Sequence, residues 1–137
     1  MNRRFLLGYQ LIIGISDTVI GTLLIVAPEF TLDLTGIQVP SGAIPFVSFI
    51  GAFVFSVGFA CLYGAWLTAR DEGRARVEMI WLLTAITRTA VAIILAQRVM
   101  AGTLQAAWLI VAISDGAFTL IQAVGLRMMW VAHAIAE

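Results

Sequence analysis

Between residues 34 and 69 the chain carries no charged side chain at all, and three further stretches of similar length carry one each. Residues 5–28 hold only Asp17, residues 79–97 only Arg88, and residues 99–126 only Asp115. A spanning helix needs roughly 20 mainly apolar residues, and a backbone in lipid must satisfy its hydrogen bonds internally, which favours helices. The pattern predicts an all-α, integral membrane four-helix bundle in up-down-up-down order. It forms a single transmembrane domain over residues 1–137 with spans near 5–27, 45–67, 79–99 and 106–127.

Composition agrees with lipid as the solvent. Only 12% of the residues are charged and 61% are apolar, against about 25% charged in an ordinary soluble domain. Formal net charge is zero and lysine is absent, which argues against a nucleic-acid partner. The single cysteine, Cys61, excludes an internal disulfide framework. Asn2-Arg3-Arg4 ahead of FLLGYQLIIGI has the outline of a secretory leader, but Asp17 interrupts the apolar run and no small-residue cleavage site follows. The segment is therefore expected to stay as a span.

Tryptophan and arginine set the borders and the orientation. Trp66, Trp81, Trp108 and Trp130 each fall at a proposed span end, as expected of rings that prefer the interface. Six arginines (Arg3, Arg4, Arg70, Arg74, Arg76 and Arg127) lie on the side of the termini and the middle loop, against Arg98 alone on the other. That bias puts both termini in the cytoplasm of a multi-pass membrane protein. The loop TARDEGRARVE, with Asp71, Glu72 and Glu78 among its arginines, reads as a short solvated turn. In the first outer loop Pro28 can open a helix and Gly36 can close one. Phe30, Leu32, Leu34 and Ile37 are expected to lie on the membrane surface as a short interfacial helix.

Spans one and two carry glycines seven apart, Gly14 with Gly21 and Gly51 with Gly58, which lets helices approach closely. Spacings of three and four keep Gln10, Gly14, Asp17 and Gly21 on one face of span one. Trp108, Ala112, Asp115, Thr119 and Gln122 share a face of span four, and Thr84 shares one with Arg88 in span three. LIIGISD (11–17) and LIVAISD (109–115) echo each other with a Ser-Asp pair at mid-span; a true repeat would be inverted.

All three charges sit near the middle of their runs. A lone charge there costs about 2.5–3.5 kcal/mol, so they should face inward and meet. Arg88 can pair with one aspartate. The second must share that arginine, take up a proton, or contact a ligand or water. The residues point to an ionisable midplane pocket of Asp17, Arg88 and Asp115, lined by Ser16, Ser114, Thr84, Thr87 and Thr119. It would bind a small lipophilic or anionic ligand. The competing reading is an Arg–Asp network that only fixes helix order and register. His133 stands alone beyond span four, and Tyr63, Trp66 and Met79 suit interface packing. No metal-ligand cluster, nucleotide loop or nucleophile–base pair is visible, so no metal, cofactor or catalytic set is expected.

The run GTLLIVAPEFTLDLTGI, the glycine-bearing GAFVFSVGFACLYGAW and a third span centred on Arg88 resemble the DoxX-like group of small bacterial four-helix membrane proteins. That group includes members linked to thiosulfate–quinone chemistry, so the resemblance implies a fold and not a reaction. SDTVIGTLL is similar to the first span of small multidrug resistance transporters, where a carboxylate serves proton-coupled export. Here the acid is Asp17, spans three and four carry further charges, and the chain is longer. Besides ligand binding, the alternatives are therefore a proton-coupled small-molecule transporter and a non-catalytic accessory subunit of a larger membrane complex or homo-oligomer. A membrane enzyme ranks last.

Overall fold

The computed structural model describes residues 2–70 and 73–136; Asp71 and Glu72 of the middle loop lie outside the described residues. Among the described residues every regular element is helical. Helix α1 spans Arg3–Val26 and is capped by the Asn2 carboxamide, which accepts from the Arg4 N–H at 3.0 Å. It stops at Ala27 because Pro28 follows, and the residue before a proline disfavours helical backbone. Pro28 occupies the first turn of α2 (Pro28–Thr35). Gly36, at φ 68°, closes α2: its own N–H reaches back to Asp33 O, and the Ile37 N–H bonds to Leu32 O at 3.0 Å. A 3₁₀ turn, Ser41–Ala43, leads into α3 (Ile44–Ala69). Gly73, at φ 70°, precedes α4 (Arg74–Met100). A second 3₁₀ turn at Ala106–Trp108 opens α5 (Leu109–Arg127), and α6 (Trp130–Ala136) ends the described chain.

Four helices are long and apolar enough to cross a membrane: Arg3–Val26, Ser41–Ala69, Arg74–Met100 and Ala106–Arg127. The shortest, 22 residues, reaches about 33 Å at about 1.5 Å per residue, enough for a hydrocarbon core of about 30 Å. Their outward faces are apolar, with Phe46, Phe49, Phe59, Ile93, Ile113 and Leu120 among the exposed side chains. The third starts earlier than the apolar run suggests. Arg74 donates to Glu78 at 2.9 Å, one helical turn on, and this exposed pair carries α4 past the end of its apolar part.

Glycines weld α1 to α3. A Cβ on Gly21 would lie 2.4 Å from Phe55 N, one on Gly58 2.5 Å from Thr18 N, and one on Gly14 2.8 Å from Leu62 Cγ. Position numbers fall on α1 as they rise on α3, so the two run antiparallel with backbones nearly in contact. Helices α4 and α5 pair in the same sense through Trp81 at Gly125, Thr84 at Gln122 and Arg88 at Asp115.

Two apolar clusters close the ends. At the end bearing the termini, Leu6, Leu67, Val77, Trp81, Val131 and Ala134 form a core of fully buried side chains. Trp81 is 1% exposed and packs against Tyr9, the ring centroids 5.3 Å apart and the planes tilted by 49°. This corrects the expectation that Trp81 anchors an interface: Gly125 leaves a slot that its ring fills from inside. At the opposite end, Leu32, Ile37 and Val47 pack with Leu24 and Trp108. Leu32 and Ile37 thus turn into the bundle, and only Phe30 and Leu34 of the four apolar residues around α2 face outward. The amphipathic face of α2 covers the end of the bundle instead of lying wholly on the membrane surface.

Candidate functional site

The three mid-span charges meet. Asp17 comes from α1, Arg88 from α4 and Asp115 from α5. Arg88 Nη1 donates to Asp115 Oδ1 at 2.5 Å, and Nη2 donates to Asp17 Oδ2. The guanidinium therefore bridges two carboxylates, which answers the uneven charge count: the second aspartate shares the arginine. Side-chain exposure is 6% for Arg88, 14% for Asp17 and 15% for Asp115, so the carboxylates are the more open part of the cluster. The Phe118 ring covers the guanidinium, its centroid 5.0 Å from Cζ, a favourable contact for a cation out of water. Cys61 is buried and lies within electrostatic range of Arg88.

From this cluster a cavity of about 480 Å³ runs toward the α2 end. Leu24 and Ile20 of α1, Val54 and Val57 of α3, Leu95 of α4 and Val111 of α5 form its apolar walls, and Leu32, Ile37 and Trp108 close its far end. The cluster forms its polar floor. Ser16, Thr87 and Ser114 stand beside the charges as expected. The Ser-Asp echo thus has a spatial counterpart, with each serine–aspartate pair on its own side of Arg88.

Thr84 and Thr119 do not line the cavity. They belong to a second polar layer, nearer the termini. There the Thr84 hydroxyl accepts from Gln122 Nε2 at 2.9 Å, and the Thr119 hydroxyl sits 3.5 Å from both Thr89 Oγ1 and Ala85 O. Gln10 completes this layer on the α1–α3 side, accepting from the Thr68 hydroxyl at 3.1 Å. Gln10 and Gln122 are each 1% exposed. Sequence reasoning put both on the charged faces of their helices without giving them a role; two buried amides in apolar spans were the available signal. Below this layer the Trp81 core seals the bundle. Tyr63, Trp66 and Met79 are exposed and lie off the cavity, and Arg70 covers the Trp66 ring at 4.4 Å. His133 is exposed on α6.

No family model matches the chain, and neither the curated proteins nor the solved structures yield a match.

Proposed function

We propose that the chain is a multi-pass protein of the bacterial inner membrane that binds a small lipophilic molecule between its two helix pairs. The four long helices cross in up-down-up-down order with both termini in the cytoplasm, following the arginine bias. The layout is that of the DoxX-like group. In this orientation the cavity occupies the outer half of the membrane, with α2 as its cover.

One observation carries the reading: a cavity of about 480 Å³, apolar along its length, ends on a buried but incompletely covered ion cluster. Ligand sites commonly measure about 300–1,000 Å³ and combine apolar walls with a few convergent polar groups. A cluster serving only helix register would be dry and would need no cavity, so the space above Arg88 counts against a purely accessory subunit. The Trp81 core closes the bundle at the end bearing the termini. Val57 and Val111 face each other's helix pair across the space. In lipid nanodiscs the wild-type protein is expected to hold elongated density between α1–α3 and α4–α5, and a Val57→Trp, Val111→Trp variant to lose it. A cavity without ligand density in the wild-type protein would overturn the proposal.

A further inference from the structure

The polar floor of the cavity is rich in hydrogen-bond acceptors. The Ser16 hydroxyl donates to Ile12 O at 3.1 Å, Thr87 to Leu83 O at 3.0 Å and Ser114 to Val111 O at 3.0 Å. Each proton is committed to its own helix, which leaves oxygen lone pairs toward the cavity. Each aspartate spends one oxygen on Arg88. Its second oxygen accepts no hydrogen bond among the described residues, and neither is among the buried atoms lacking a partner, so both are open to an incoming group. Arg88 gives one N–H of Nη1 and one of Nη2 to the carboxylates, the Phe118 ring lies over it, and Nε is buried without a partner among the described residues. With both carboxyls ionised the cluster carries one negative charge in excess.

An anion entering this site would meet two carboxylates and three hydroxyl lone-pair faces around a guanidinium whose charge is already balanced by the two acids. A neutral apolar molecule would leave the two free carboxylate oxygens without partners, which costs about 1–3 kcal/mol for each buried polar group. A cationic donor satisfies both charge and hydrogen bonding. The geometry points to a lipophilic amine as the ligand: a protonated N–H-bearing head seated between Asp17 and Asp115, with an apolar body filling the space toward α2. At about 30 Å³ per non-hydrogen atom, the share of one water in the liquid, the cavity holds roughly sixteen such atoms. That matches a single medium-length chain. This assignment rests on the cavity being a binding site.

The test is calorimetric titration of the full chain in lipid nanodiscs, with empty nanodiscs subtracted, against four probes sharing one ten-carbon chain: decylamine, decyltrimethylammonium, decanol and decanoate. Decylamine is expected to bind about tenfold or more tighter than each of the others, a difference of about 1.4 kcal/mol per tenfold. Asp115→Asn is expected to remove most of that preference. Ser16→Ala, Thr87→Val, Ser114→Ala, which leaves the ion pairs intact, is expected to reduce it. Decanoate binding as tightly as decylamine overturns the head-group assignment while leaving the cavity reading intact. Equal binding of decyltrimethylammonium overturns the role of the donor hydrogens, and full amine preference in Asp115→Asn overturns the role of the surplus carboxylate. Failure of all four probes to bind overturns the binding site itself.

Discussion

Arg88→Leu tests the cluster most directly, because it removes one cation from between two acids. Asp17 and Asp115 lose their only hydrogen-bond donor among the described residues, and the leucine offers nothing in return. On insertion scales each stranded aspartate at mid-span costs about 2.5–3.5 kcal/mol, or about 5–7 kcal/mol for two. Water in the cavity recovers part of this. The Asp17→Asn, Asp115→Asn double variant strands one guanidinium instead, at about 2.5–3.5 kcal/mol, and its amide oxygens still accept from Nη1 and Nη2. The two variants should differ by about 2–4 kcal/mol, a large share of a typical total of about 5–15 kcal/mol. Asp115→Asn alone leaves a balanced Arg88–Asp17 pair and should lose only about 1 kcal/mol, the worth of one hydrogen bond. Equilibrium unfolding in mixed micelles orders the series. The expected order of stability is wild type, then the single variant, then the double, then Arg88→Leu. Equal stability of Arg88→Leu and the double variant would falsify the bridged cluster.

Packing predictions follow from the glycines. Gly21→Ala and Gly58→Ala put a methyl group 2.4 Å and 2.5 Å from partner backbone nitrogens, so each should destabilise by about 1–3 kcal/mol and lower the thermal midpoint. Gly8→Ala and Gly116→Ala meet nothing within 4 Å and should gain about 0.5–1 kcal/mol from helix propensity; equal losses at all four sites would refute the close α1–α3 contact. Gly36→Ala forces a side chain into left-handed backbone at φ 68° at about 1–2 kcal/mol, and should also loosen the α2 cover, read as faster amide exchange of α2.

The four long helices were legible as long uninterrupted apolar runs, and the cluster because a charge in the middle of such a run must find an opposite charge. The helix breaks were equally readable at Pro28 and Gly36, where backbone chemistry acts locally. What failed was depth and partner. Thr84 and Thr119 share helical faces with Arg88 and Asp115, but each is displaced one turn toward the termini, so they meet Gln122 and Ala85 and not the cavity. A helical wheel gives the angle around an axis, and the position along it comes only from the neighbouring helix. Trp81 misled for a related reason. Its interface preference is worth less than filling the slot that Gly125 opens forty-four positions later in the chain. Leu32 and Ile37 have the apolar face of a surface helix, and such a face docks equally well on lipid or on the open end of a bundle.

The packing explains why a cavity exists where it does. Helix α1 packs chiefly on α3, and α4 on α5, with much thinner contact between the pairs. Glycines zip the first pair, while Trp81, Gln122 and Asp115 zip the second. The pairs join through the apolar core at the terminal end and through Arg88 reaching Asp17 at the middle. Beyond that point α2, Ile37 and Trp108 cover the gap, and the Gln38 N–H donates to Gln105 Oε1 at 3.0 Å across it. Arg88 is thus the last cross-pair clamp before the open space, and a group bound to the carboxylates beside it must act on the clamp itself. On the proposed reading, a cationic head that draws Asp17 from Arg88 weakens the joint between the pairs, while one that completes the charge balance tightens it. If the cavity binds the proposed ligand, occupancy and the spacing of the two helix pairs are coupled through one arginine. Gly58 adds a lever on the same joint: its virtual Cβ meets Asp17 C at 2.9 Å, so any change there shifts the carboxylate that Arg88 holds.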